Sequence, residues 1–252
     1  MADPEHLYCH EVGQGERLVL VHGFTQTGRS FDPLISRWQD RFRLAIVDAP
    51  GHGRSGPIRA SVPEGAELVG LAGGPACYLG YSMGGRLCLQ LALDRPHVVN
   101  RLVLVGATAG IEDPTERKAR RRLDEERARL IVDVGVEAFL VDWLAGPLFA
   151  SLSPRAGNMA SRLDNTAEGL ASSLRLAGTG TQESLWHRLA ELAMPVLIVV
   201  GANDPKFDAL GQRMVGAIGA NSTLVRVPEA GHAAHLENPE HFASMVEHFL
   251  KP

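Results

Sequence analysis

The chain has 252 residues, 45% of them hydrophobic and 21% charged, with a formal net charge of −4. That is enough apolar material for one sizeable core, and the absence of a basic excess argues against a nucleic-acid partner. Twenty-seven glycines and fifteen prolines suit a loop-rich α/β enzyme better than a helical bundle. No apolar run reaches the roughly 18 residues of a membrane span. The opening Met1-Ala2-Asp3-Pro4-Glu5 lacks the basic and apolar stretches of an export signal. Cys9, Cys77 and Cys88 are odd in number and show no C-x-x-C spacing. Reduced thiols in a cytoplasm are therefore expected, with Cys77 and Cys88 as small core residues.

Short apolar runs recur, each stopping at turn residues. Leu18 to Val21 stops at His22-Gly23, and Leu44 to Val47 at Asp48-Ala49-Pro50-Gly51. Ala76 to Leu79 stops at Gly80, and Leu102 to Val105 at Gly106. Val196 to Val200 stops at Gly201, and Leu224 to Val227 at Pro228. The first five lack polar alternation, as strands covered on both faces do. Helical patterns lie between several of them, as at Gly85 to Asp94 and Pro205 to Ile218. This alternation predicts an α/β fold with a mostly parallel, doubly wound sheet. From Thr108 to His187 the strand rhythm stops and the pattern turns helical. The expected organisation is a core of residues 1–107 and 186–252 with a helical lid over 108–185. Residues 56–75 form a short stretch rich in Gly and Ala whose structure is left open.

In such sheets ligands bind at the C-terminal ends of the strands. Gly80-Tyr81-Ser82-Met83-Gly84 is a G-x-S-x-G sequence between a strand and a helix, the setting in which a serine is raised on a sharp turn as a nucleophile. Its base and orienting acid are expected further along, in the order acid then histidine. Asp204 follows the Val196 strand and His232 the last strand, so both fall on the edge that carries Ser82. Asp208 and His235 are the rival acid and base. The backbone amides of Phe24 and Met83 are the expected oxyanion donors. His22 is expected to brace the loop after the first core strand. Gly51-His52-Gly53-Arg54-Ser55-Gly56 matches G-x-G-x-x-G, but Pro57 and an irregular stretch follow where a dinucleotide site needs a helix.

As a set, these stretches resemble the α/β-hydrolase superfamily over essentially the whole chain. VHGFTQTGRSF, GYSMGGRL, DWLAGPLFASL, GANDPKF and AGHAAHLENP further resemble the 2-succinyl-6-hydroxy-2,4-cyclohexadiene-1-carboxylate synthase family of menaquinone biosynthesis. The resemblance implies a lyase that eliminates pyruvate from a polycarboxylate, with a Ser82–His232–Asp204 triad and serine acting as a base. It implies no cofactor and no metal. The family's substrate-binding positions match Tyr81, Arg86, Arg120, Trp143, Arg162 and Lys206. From the residues alone, an anionic substrate is supported by Arg86, one helical turn past Ser82. It is also supported by the run Arg117 to Arg129, with seven basic and three acidic residues. Most of those arginines read as a solvated face with i,i+4 pairs Arg120–Asp124, Arg121–Glu125 and Arg122–Glu126. A conventional serine esterase or carbon–carbon bond hydrolase stays open as the alternative, since the same triad serves both, and a non-catalytic binding module is a third reading.

Overall fold

The apolar runs pair into one sheet whose strands are β1 (Cys9–Val12), β2 (Glu16–Val21), β3 (Phe42–Val47), β4 (Ala76–Tyr81), β5 (Val99–Val105), β6 (Val196–Gly201) and β7 (Ser222–Val227). The structure, a computed structural model, describes residues 6–251, so the acidic opening at 1–5 lies outside the described residues. The strand order is β1-β3-β2-β4-β5-β6-β7, with β1 antiparallel to β3 and the other pairs parallel. β1 was not legible from hydropathy. Its sequence CHEV is polar, and as an edge strand it buries little.

The helices are α1 (Asp32–Trp38), α2 (Val62–Gly73), α3 (Met83–Asp94), α4 (Pro114–Leu144), α5 (Pro154–Gly157), α6 (Met159–Arg162), α7 (Ala167–Ala177), α8 (Pro205–Ile218), α9 (Ala234–Glu237) and α10 (Pro239–Leu250). Side chains alternate across each strand, so the sheet carries two apolar layers. On one face Leu18, Leu44, Leu79 and Val103 pack with Phe31, Trp38, Phe242 and Val246 of the α1 and α10 side. On the other, Val19, Tyr78 and Leu104 meet Val69, Leu87 and Met214 of α2, α3 and α8. Cys77 and Cys88 are buried and unpaired in these layers. α2 lies within residues 56–75, whose structure the sequence left open. Ser61 Oγ accepts the Glu64 N–H, and the Glu64 carboxylate accepts the Ser61 N–H at 2.8 Å. That reciprocal cap starts the helix despite its glycines.

Helices α4 to α7 fill the interval between β5 and β6. α4 breaks at Gly135, where φ is +83°, and its two limbs pack Ala128, Ile131 and Phe139 on Leu170, Ala171 and Leu174 of α7. The stem of the interval is closed: Leu185 N–H donates to Ala109 O at 2.7 Å, and Trp186 Nε1–H to Gly110 O at 3.0 Å. Of the three expected i,i+4 pairs only Arg120–Asp124 forms. Glu125 instead pairs with Arg129 and Arg175, and Arg121 Nε–H reaches Gly180 O. Glu125 thus keeps a helix-local i,i+4 partner in Arg129 and gains a second from α7. Among the described residues no helix is long and apolar enough to cross a membrane.

Candidate active site

β4 ends on Tyr81, and the chain turns at Ser82 with φ +50° and ψ −105° before α3 begins at Met83. A non-glycine residue is costly in that region. The turn is held because Ser82 N–H donates to Val105 O at 2.8 Å. It also depends on close backbone approach: a Cβ on Gly84 would lie 2.1 Å from Val21 O. Ser82 is thereby raised, half-buried, at the N-terminus of α3.

Asp204 and His232 come from the neighbouring strand ends. Ala202 N–H donates to Val227 O and Asn203 N–H to Ala230 O, which stitches the loop after β6 to the loop after β7. Asp204 caps α8, with Oδ1 accepting the Phe207 N–H at 3.2 Å. Its Oδ2 lies 3.0 Å from His232 Nδ1, and His232 Nε2 lies 3.2 Å from Ser82 Oγ. A carboxylate only accepts, so Nδ1 carries the imidazole proton and Nε2 is left to accept the Ser82 hydroxyl proton. The rivals lie elsewhere. Asp208 pairs with Arg226 and Gln212. His235 is fully buried against Tyr81, with ring centroids 4.4 Å apart, and burial holds its imidazole neutral down to about 3.

Two residues that sequence reasoning missed support His232. The Glu237 carboxylate accepts Gly231 N–H at 2.8 Å and Ala233 N–H at 3.0 Å, bracketing the histidine's backbone. Phe207 covers the imidazole at 4.4 Å between ring centroids. A glutamate two residues after the second histidine of GHAAHLE was the available signal for the first.

The loop after β2 carries Phe24. His22 Nε2 accepts Ala49 N–H at 3.0 Å, so its protonated Nδ1 donates to Gly23 O at 2.8 Å. His22 braces the loop as expected, and burial keeps it neutral down to about 4. The G-x-G-x-x-G stretch forms a tight 3-10 turn at Gly53–Ser55, with His52 buried beneath it, and no helix opens there. Among the described residues the N–H groups of Phe24 and Met83 have no acceptor, and both residues line the cavity over Ser82.

That cavity measures about 530 Å³. Of the expected substrate residues, Arg86, Arg120, Trp143 and Lys206 line it together with Ser82 and His232. Arg86 is buried and donates through Nη1 to Ala177 O at 2.8 Å and Gln182 Oε1 at 3.1 Å. Burial, and then the neighbouring Arg120, lower its pKa to about 10, so it remains a cation at neutral pH. Trp143 lies against Phe24 and Phe139, and its indole N–H is buried without a partner among the described residues.

Tyr81 and Arg162 are not on the cavity wall. Tyr81 is buried beneath the triad, because strand alternation sends it with Cys77 and Leu79 into the layer under His232. Arg162 is 1% exposed and bonded to Gly157 O and Thr25 Oγ1. The cavity wall also differs from a purely basic one. Glu112, Asp113 and Glu116 line it, with Glu112 paired to Arg213 at 2.5 Å and Asp113 capping α4. Among the described residues no cluster of metal-ligating side chains occurs.

Ser82, His232 and Asp204, hydrogen-bonded in line at neighbouring strand ends beside two free amides, form the candidate active site of an α/β enzyme. The α/β hydrolase fold family model matches residues 16–239, and the chain belongs to that family. Its relatives narrow the comparison. A protein from Serratia proteamaculans (strain 568) named 2-succinyl-6-hydroxy-2,4-cyclohexadiene-1-carboxylate synthase is 31% identical, covering 94% of this chain and 95% of its own. A Bacillus subtilis (strain 168) protein that carries the same synthase name provisionally is 37% identical, over 93% of this chain and 90% of its own. The solved structure of MenH from S. aureus superposes with a TM-score of 0.89 at 30% identity, covering 97% of both chains.

Proposed function

We propose that this protein is a lyase that eliminates pyruvate from 2-succinyl-5-enolpyruvyl-6-hydroxy-3-cyclohexene-1-carboxylate to give 2-succinyl-6-hydroxy-2,4-cyclohexadiene-1-carboxylate. The observation that carries the reading is the placement of Arg86 and Arg120 on the wall of the cavity that holds the Ser82–His232 pair. Guanidinium groups in a partly desolvated cavity favour carboxylates. The two synthase-named relatives, similar over nearly the whole chain, support it independently.

In this reading Ser82 Oγ passes its proton to His232 Nε2 and removes a proton next to the succinyl carbonyl. The electron pair forms a ring double bond from that carbon, the existing ring double bond shifts one position along, and the C–O bond to the enolpyruvyl group breaks. Pyruvate leaves as its enolate and takes up the proton held on His232 to become the keto acid, while Ser82 keeps the proton it removed, so both residues return to their starting states. Asp204 stabilises the imidazolium that forms in between. The Phe24 and Met83 amides hold the negative charge that develops on the carbonyl oxygen. Arg86, Arg120 and Lys206 hold carboxylates, and the Trp143 N–H supplies a further donor. Residues 108–185 act as the lid. A cytoplasmic location and a small anionic substrate belong to the same reading.

The test is purified protein with the enolpyruvyl precursor, following pyruvate release. Release that depends on Ser82 supports the lyase. Efficient p-nitrophenyl ester turnover without pyruvate release overturns it in favour of a serine hydrolase, the reading that the free amide pair beside Ser82 also favours. A covalent Ser82 ester accumulating with the native substrate points the same way, because proton abstraction needs no acyl-enzyme.

A further inference from the structure

Thr25 follows the amide that faces the cavity, and its backbone is unusual. A β-branched residue with φ +67° is strained, and Thr25 is fully buried. All its polar groups are gripped. Its N–H donates to His52 Nε2 at 3.2 Å, and its carbonyl accepts from Asn165 Nδ2 at 2.9 Å. Its hydroxyl accepts from Arg162 Nη1. Asn165 also takes the Gly53 N–H on its Oδ1 at 2.9 Å, and Arg162 Nε–H donates to Gly157 O at 2.7 Å. The segment from Gly157 to Asn165 thus reaches out of the helical insertion and clamps the loop of the core that carries Phe24. Arg162 has no carboxylate within ion-pair distance among the described residues, although buried arginines usually have one.

We propose that Arg162 is a positioning residue of the oxyanion loop: through the Thr25 hydroxyl it fixes the left-handed backbone that aims the Phe24 amide at the reacting atom. This rests on the reading of Phe24 as an oxyanion donor, and it assigns Arg162 a different task from carboxylate binding. A residue that holds a transition-state donor in place lowers kcat when removed, whereas a ground-state carboxylate ligand raises KM.

The experiment compares Arg162→Met, Thr25→Val and the double variant, each checked for a native-like thermal midpoint. Two readouts are taken: kcat and KM for pyruvate release, and the rate at which a fluorophosphonate labels Ser82. Thr25→Val keeps the branched shape and removes only the acceptor. Both single variants are expected to lose about tenfold to a hundredfold in kcat and in labelling rate, with KM changed by less than about threefold. The double variant is expected to be no worse than the weaker single, since both cut one linkage. Arg162→Met raising KM while Thr25→Val behaves as wild type overturns the proposal and makes Arg162 a substrate ligand. If Arg162→Met does not fold, Thr25→Val decides alone. If the wild type releases no pyruvate, the proposed reaction has failed, but labelling still reads the loop, and unchanged labelling in both variants overturns the positioning role.

Discussion

Arg120 Nε–H donates to Asp124 Oδ1 at 2.8 Å, and this single contact leaves both Nη groups of the guanidinium without a protein partner among the described residues. Asp124 is 1% exposed and also accepts the Gly180 N–H at 3.1 Å. Gly180 lies in the same stretch, Ala177 to Gln182, that takes Nη1 of Arg86. Both cavity arginines are thus held by one edge from one piece of chain.

Asp124→Asn removes the charge that orients Arg120. KM for the anionic substrate is expected to rise about tenfold to a hundredfold, as for a lost charge-assisted hydrogen bond, with a smaller change in kcat. Arg122, exposed on the same helix, is the control, and Arg122→Ala is expected to leave both constants unchanged. Steady-state kinetics on the two variants decide the matter. A fall in kcat at constant KM would remove Arg120 from ground-state binding.

Ser82→Ala is expected to abolish nearly all pyruvate release while leaving the thermal midpoint close to wild type, because among the described residues the hydroxyl has one hydrogen-bond partner, His232. His232→Ala is expected to lose as much. Asp204→Asn is expected to lose comparably, since Asp208 is paired with Arg226 and cannot replace it. Wild-type turnover in the His232 variant would dissolve the triad assignment.

Stability is expected to fall steeply in acid. His22, His52 and His235 are buried, and burial lowers their pKa from 6.5 to about 4, about 3 and about 3. Between 6.5 and about 4 the unfolded chain binds protons that the fold refuses, so stability drops as pH falls and these groups contribute nothing above that window. His235→Phe is expected to flatten the slope by one proton. It is also expected to raise Tm by about 2–4 °C, because both ring nitrogens of His235 lack partners among the described residues. Thermal melts across pH test this, and an unchanged slope in the variant would show that His235 does not titrate.

Gly84→Ala puts a methyl group 2.1 Å from the Val21 carbonyl oxygen. The cost is expected to be about 3 kcal/mol, or roughly 6–12 °C in Tm for a chain of this size. A neutral outcome in a thermal melt would mean that the elbow can relax.

Strands β2 to β6 were legible because buried parallel strands have continuous apolar runs, and the meeting of Ser82, His232 and Asp204 was legible because each follows a strand end. Hydropathy could not find β1, an edge strand that needs only backbone pairing. The α2 cap Ser61-x-x-Glu64 was in plain view but masked by the surrounding glycines. The placement of Arg162 was beyond sequence, because its partner Thr25 lies 137 positions away. The pairing of Glu125 with Arg175 was hidden for the same reason: the helix that supplies the second arginine is set by tertiary packing. Charge counting over Arg117 to Arg129 likewise missed Glu112, Asp113 and Glu116, which reach the cavity from just before the run.

The closed stem at Ala109 and Leu185 has a consequence for how this chain can change. β5 and β6 are hydrogen-bonded neighbours, so everything between them leaves and re-enters the sheet across one strand spacing, about 4.8 Å. The excursion is therefore a cassette with abutting ends. It can lengthen, shorten or be exchanged for an unrelated helical segment without altering strand order or the loops that carry Ser82, Asp204 and His232. What does not transfer freely is the clamp from Asn165 and Arg162 onto Thr25, so a grafted cassette inherits the scaffold's chemistry only if it brings its own grip on that loop.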